Sequence, residues 1–177
     1  DVGSTKLEIV TRASELMPDG TAFIGGHPMA GTEEAGVEAA FPDLFLGATY
    51  VLTPSPSSDL RTLGTMAEFV EGLGANVIEM APDDHDRAAA AISHLPHALS
   101  AALLATSEDY QRELGIVFRL AAGSFRDLTR VSSSPPDLWR DICLTNRESL
   151  REAIKRFHGR LEELDRALSD GDEQAVE

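Results

Sequence analysis

Cysteine is all but missing: Cys143 is the only one in 177 residues, so no internal disulfide can form and a disulfide-stapled secreted scaffold is excluded. No adjacent basic group activates that thiol, and it reads as buried and inert. Tryptophan is equally scarce, and Trp139, the single one, reads as core. Basic residues are few. Fifteen of them against 30 acidic ones leave a net charge of −15, which repels nucleic acid and anionic membrane surfaces, so neither is expected as a partner. The same field opposes an anionic small substrate unless arginines are gathered locally to receive it. No apolar run approaches the roughly 20 residues that cross a bilayer, and no charged start with an apolar core and a cleavage site marks secretion. The expected setting is the cytoplasm.

What is present falls into two halves. Residues 1–81 alternate helix and strand signals. A helical spacing runs over Thr5 to Met17 with Ser4 or Thr5 as cap. Short apolar runs at Thr21–Ile24, Thr49–Thr53 and Asn76–Met80 predict strands, and Ser57 to Leu73 repeats with helical period before Gly74. From Pro82-Asp83-Asp84 onward, across residues 82–177, the strand signals stop. Helices are predicted over Ala88–Ala105, with Pro96 as a kink, and over Tyr110–Leu120, Pro136–Asn146 and Arg147–Leu168. The tail Ser169–Glu177 is acidic and expected to fray. The fold class is therefore α/β, then all-α.

His27 lies in Gly25-Gly26-His27-Pro28-Met29-Ala30-Gly31, at the end of a predicted strand, where α/β proteins place ligands. From this segment alone it is equally a pocket histidine or a loop histidine satisfied by backbone. Asp1-Val2-Gly3-Ser4-Thr5-Lys6 reads as a strand end entering a helix, so Ser4 either caps that helix or faces the same crevice. His94 and His97 share a helix face. With no nearby cysteine they make a weak zinc signal, and the preferred reading is one histidine lining a pocket while the other packs; no metal is expected. Arg126 and Arg130 also share a helical face, next to Asp127. They form either a surface salt-bridge patch or the local positive site that a carboxylate ligand requires. Glu33 and Glu34 either orient a substrate or are solvated.

Together these segments resemble the prephenate dehydrogenase family, which includes the arogenate and cyclohexadienyl dehydrogenases. The resemblance rests on residues 1–6, on 25–31 with Glu33, on Gly36 to Gly47 and on Tyr50-Val51-Leu52-Thr53-Pro54. It continues through His94-Leu95-Pro96-His97, Phe125 to Arg130 and Pro136 to Asn146. These segments cover about four-fifths of the chain in the family's order.

The resemblance implies the C-terminal part of a Rossmann-like nucleotide-binding domain over residues 1–81 and a helical substrate-binding and dimerisation domain over 82–177, forming a homodimer. It implies oxidative decarboxylation of prephenate to 4-hydroxyphenylpyruvate with hydride transfer to NAD or NADP, in tyrosine biosynthesis. The alternatives are arogenate as substrate, or a non-catalytic fragment without the cofactor half. By the same resemblance, His27 accepts the substrate's hydroxyl proton, and Ser4 hydrogen-bonds His27 near the nicotinamide. Gly3, Ser4, His27 and Pro28 border the cofactor, Arg130 holds a substrate carboxylate, and His97, Glu33 and Asp127 shape the pocket. Two features depart from the pattern. No Gly-x-Gly-x-x-Gly occurs, so the adenosine and pyrophosphate cradle is expected upstream of Asp1, a start without methionine. Ala121-Ala122-Gly123-Ser124 is also poorer in glycine than the corresponding segment of relatives.

Overall fold

The computed structural model describes residues 1–18, 20–31, 36–55 and 58–176. Its first part is a three-stranded sheet with helices against both faces. Strand β1 (Ile24–Pro28) pairs antiparallel with β2 (Thr49–Pro54), which pairs parallel with β3 (Asn76–Glu79). Helix α1 (Leu7–Leu16) precedes the sheet, and α2 (Leu60–Gly72) makes the crossover between β2 and β3.

Side chains alternate across β2, and the alternation builds both layers. Tyr50 and Leu52 face α2 and form a core with Leu63, Val70 and Ala75. On the other face α1 comes so close that Gly25 cannot carry a side chain: a Cβ there would lie 2.8 Å from Val10 Cγ2 and would overlap Thr53 Oγ1. At Gly26 it would lie 2.7 Å from the Asp1 carbonyl. The glycine pair is thus set by close packing, not by a loop.

This corrects the expected strand at Thr21–Ile24. The observed strand starts where that one was to end, so His27 sits inside β1, paired with Val51, rather than in a loop beyond it. The buried, strand-forming character of the glycine pair is invisible to apolar patterning. Helix α1 also begins two residues later than predicted, at Leu7, and neither Ser4 nor Thr5 caps it. Its first N–H groups are capped from a distance by Asp86, whose carboxylate accepts from Lys6 N at 2.7 Å and Leu7 N at 2.9 Å. Helix α2 starts at Leu60 because Asp59 accepts the N–H of Thr62 at 2.9 Å; Ser57, its predicted start, lies outside the described residues.

The second part is helical. Helix α3 (Pro82–Ala89) runs through a π-turn at Ala90–His94 into α4 (Leu95–Leu114). The π-turn replaces the kink expected at Pro96. Proline offers no N–H, and widening the preceding turn so that Leu95 N–H reaches the Ala90 carbonyl absorbs the mismatch without breaking the helix. Gly115 ends α4 in the left-handed conformation, φ 72°, so the predicted helix Tyr110–Leu120 is divided there, with a short 3-10 turn at Val117–Leu120. Helices α5 (Gly123–Thr129), α6 (Pro136–Thr145) and α7 (Arg147–Asp170) follow. The tail is ordered rather than frayed: α7 extends through Asp170, Gly171 caps it at φ 66°, and α8 (Glu173–Val176) closes the described chain.

The continuous helix Pro82–Leu114 is, by length and composition, long and apolar enough to cross a membrane, contrary to the reading of the sequence. In this fold it buries His85, Asp86, His94 and Ser100 and packs against α7 and α5. Alanine-rich helices pass a hydropathy test easily, because alanine is apolar yet small enough for close helix packing.

Candidate active site

Strand β1 and helix α3 bring together three side chains from two distant parts of the sequence. His27 Nδ1 lies 2.8 Å from His85 Nε2, and His85 Nδ1 lies 2.8 Å from Asp86 Oδ1. Asp86 also caps α1, as described above, so the row is anchored to a helix N-terminus. His85 and Asp86 are buried, at 2% and 3% exposure. Burial pushes the Asp86 carboxyl up, but hydrogen bonds from His85, Leu7 and Lys6 outweigh it and hold the group below its usual range.

Lys6 is fully buried beside β1, donating to the Gly26 carbonyl at 2.7 Å and paired with the Asp1 carboxylate. Burial lowers its ammonium to about 8, against the opposing pull of Asp86. His27 is lowered to about 4, first by burial and then by His85, Lys6 and His94 around it, with Asp86 pulling the other way. It is therefore an uncharged imidazole at neutral pH, the form a proton acceptor needs.

His27 opens on a cleft of about 500 Å³ lined by Ser4, Pro28, Ser93, His94, Leu138 and Trp139, among others. His94 is buried at its wall, with Nδ1 3.1 Å from Asn146 Nδ2, and burial lowers it to about 4. Asn146 also donates to the Asp86 carbonyl at 2.6 Å, so the α6–α7 junction grips both histidine-bearing turns. Trp139 stacks on His97 with ring centroids 3.5 Å apart and planes within 5°.

The expected site residues distribute unevenly. His27, Ser4 and Pro28 border the cleft. Ser4 is not, however, the partner of His27 Nδ1. That position is taken by His85, because α1 is capped by Asp86 and Ser4 is left on the cleft wall. Gly3 lies beside it, its N–H donating to Asp1 Oδ1 at 2.8 Å. Of the histidine pair, His94 lines the cleft and His97 sits behind Trp139, its Nδ1 buried without a hydrogen bond among the described residues. Trp139 is accordingly a cleft wall, not core. Asp127 on α5 is exposed, as is Arg130, which opens the 3-10 turn Arg130–Ser133; the next residues, Ser134 and Pro135, line the cleft. Glu33 lies outside the described residues. Among those described, no group of three His, Cys, Asp or Glu side chains could hold a metal.

His85, Asp86, Lys6 and Asn146 were not singled out by the sequence. The acidic first turn of α3 reads as dipole compensation, and only the fold shows that His85 and Asp86 face inward. The one sequence signal was a histidine and a carboxylate adjacent at a helix start.

Two family descriptions match the chain end to end. "Prephenate dehydrogenase, nucleotide-binding domain" matches residues 1–79, and "Prephenate dehydrogenase, dimerization domain" matches residues 81–177. The chain belongs to the prephenate dehydrogenase family. Bacillus subtilis prephenate dehydrogenase is 40% identical over 94% of this chain, which spans 44% of that protein. The Aquifex aeolicus prephenate dehydrogenase solved with hydroxyphenyl propionate and NAD+ superposes with a TM-score of 0.91 at 36% identity, covering 99% of this chain and 61% of that one. Synechocystis arogenate dehydrogenase gives a TM-score of 0.86 at 36% identity, covering 98% and 62%. The chain thus spans about half the length of the curated relatives it matches. It carries part of the family's nucleotide-binding domain, as a mixed sheet with helices, followed by the helical dimerisation domain.

Proposed function

We propose that this chain supplies the substrate and proton-transfer site of an NAD- or NADP-dependent prephenate dehydrogenase, which oxidises and decarboxylates prephenate to 4-hydroxyphenylpyruvate in tyrosine biosynthesis. The observation that carries this reading is His27: uncharged, fixed through Nδ1, and bordering a cleft that Ser4 and Trp139 share. Of the site residues assigned from the resemblance, His27, Arg130, His97, Glu33 and Asp127 keep those roles as part of the proposal, while Ser4 keeps its place on the cleft wall without the hydrogen bond to His27, whose Nδ1 is taken by His85.

The residues present fit the nicotinamide end of the cofactor. Ser4, which follows Gly3, lines the cleft with His27, and Ser4 Oγ makes no hydrogen bond among the described residues. No glycine-rich phosphate loop occurs in this sequence, so the pyrophosphate is not held by these residues. When bound, the nicotinamide supplies the hydride acceptor.

The chain's own residues do the rest. His27 Nε2 takes the proton from the ring hydroxyl while the carbon bearing it loses hydride. The ring carboxylate then leaves as carbon dioxide, its bonding electrons complete the aromatic ring, and the imidazolium returns its proton to the phenolic oxygen. Atoms and charge balance, and aromatisation makes the sequence strongly downhill. The arriving carboxylates also raise the His27 pKa toward neutrality, improving it as a base once substrate is bound.

Dimerisation belongs to the same proposal. Ile154, Leu161, Leu164 and Leu168 are all exposed on α7, an apolar face that a second copy would cover. The Synechocystis relative favours arogenate as the second substrate reading, since the two substrates differ only by a keto or amino group remote from His27.

The test is product analysis of the gene product carrying this chain. Prephenate with NAD+ or NADP+ is expected to yield 4-hydroxyphenylpyruvate, carbon dioxide and one reduced nicotinamide. Tyrosine formed from arogenate alone selects the second reading, and turnover of neither rejects both.

A further inference from the structure

We propose that His85 and Asp86 are positioning residues that fix the tautomer of His27, placing its proton on Nδ1 and leaving the lone pair of Nε2 for the cleft. The inference rests on the proposed role of His27 as base, but its physical content is independent of it. Asp86 is the one group in the row whose hydrogen-bonding sense is fixed. An ionised carboxylate only accepts. Asp86 already accepts the backbone N–H groups of Lys6 and Leu7 at 2.7 and 2.9 Å, so the contact from His85 Nδ1 at 2.8 Å must be a donation to Asp86 Oδ1.

With its proton on Nδ1, the His85 ring turns the lone pair of Nε2 toward His27. His27 Nδ1, 2.8 Å away, must then be the donor. Its other nitrogen is left unprotonated beside Ser4, Pro28 and Trp139. The sense of the row is thus imposed from a helix N-terminus three groups away. The reverse arrangement would set a lone pair of His85 against a buried carboxylate, which costs far more than a lost hydrogen bond.

The neighbouring histidine is fixed in the opposite sense. Asn146 Nδ2 donates one hydrogen to the Asp86 carbonyl at 2.6 Å and turns the other to His94 Nδ1 at 3.1 Å. His94 Nδ1 is therefore an acceptor, and its proton resides on Nε2. The two imidazoles at the cleft are held as opposite tautomers by two side chains, Asp86 and Asn146, that do not line it. Fixing a ring by a partner on its remote nitrogen is the general way in which proteins choose the working nitrogen of a histidine.

The test is a long-range 1H–15N correlation spectrum of the 15N-histidine-labelled gene product at pH 7, paired with steady-state kinetics. The wild type is expected to show His27 protonated at Nδ1 and His94 at Nε2. In His85→Phe the His27 proton is expected to redistribute to Nε2, and kcat to fall about ten-fold or more with KM for substrate nearly unchanged. His85→Gln, whose amide oxygen can accept in place of Nε2, is expected to restore both the tautomer and most of the turnover. A wild-type spectrum with His27 protonated at Nε2, or with both nitrogens of His85 protonated, overturns the proposal; so does an unchanged His27 tautomer in His85→Phe. If the phenylalanine variant does not fold, the wild-type spectrum decides alone. Lack of dehydrogenase activity with the expected tautomers would reject the proposed function and leave this inference standing.

Discussion

The Asp86 carboxylate accepts the backbone N–H of Lys6 at 2.7 Å, across 80 positions of sequence. With its partner bond to Leu7, this contact joins the first helix of the α/β part to the first helix of the helical part. A single side chain thereby caps α1, orders the loop that carries Ser4, and terminates the histidine row. Asp86→Ala removes the cap and leaves the Nδ1 proton of His85 and the backbone N–H groups of Lys6 and Leu7 without acceptors. The expected loss is about 2–4 kcal/mol of unfolding free energy, read from urea denaturation. Loss of under roughly 0.5 kcal/mol, as at an ordinary surface position, would show that the cap is dispensable.

The two cleft histidines set an acid limit to stability. His27 and His94 are lowered from an ordinary 6.5 to about 4 in the fold, so between those values the unfolded chain binds more protons than the native one. Stability is then full above about pH 6.5 and falls as pH drops toward 4. Urea midpoints should decrease from pH 7.0 to pH 5.0 and change less in His27→Asn. In kinetics, the acid limb of kcat/KM, which reports the free enzyme, should lie well below 6.5, with the limb of kcat above it. A free-enzyme limb at or above 6.5 would show that His27 is not desolvated as described.

Much of this organisation was legible in the sequence. Periodicity placed α2 to within three residues and α6 to within one, and the change from alternation to pure helix at Pro82 is where the structure changes character. What escaped was long-range. The glycine pair at 25 and 26 suggested a loop because patterning cannot register that Val10 and Thr53 fill the space a side chain would need. The inward turn of His85 and Asp86 depends on where α1 begins, and α1 begins where it does because of Asp86, a circular dependence that only the folded chain resolves. Trp139 looked like core because nothing local showed His97 behind it and a cleft in front.

Arg130 is the residue proposed to pair with the substrate's carboxylate. It stands on the 3-10 turn that leads directly into the cleft-lining Ser134 and Pro135. Arg130→Ala is expected to raise KM for substrate by one to two orders of magnitude, the order of a charge-assisted bidentate contact of roughly 1.5–3 kcal/mol, with a smaller effect on kcat. A fall in kcat with KM unchanged would place Arg130 elsewhere in the mechanism.

The exposed apolar face of α7 predicts the assembly state. Sedimentation equilibrium of the 19.0 kDa chain is expected to give twice the monomer mass, and charged substitution at Leu161 and Leu164 together is expected to shift it toward monomer. A monomer at micromolar concentration in the unsubstituted chain would contradict the reading that a second copy covers this surface.

The proposed role of His27 as acceptor of the substrate's proton is tested most directly by the turnover of His27→Asn in the gene product, with prephenate and saturating cofactor. Asparagine keeps a polar side chain of similar reach at β1 but no basic nitrogen. A fall in kcat of about 10²–10⁴-fold is expected, with cofactor affinity unchanged. Turnover within two-fold of wild type would contradict it.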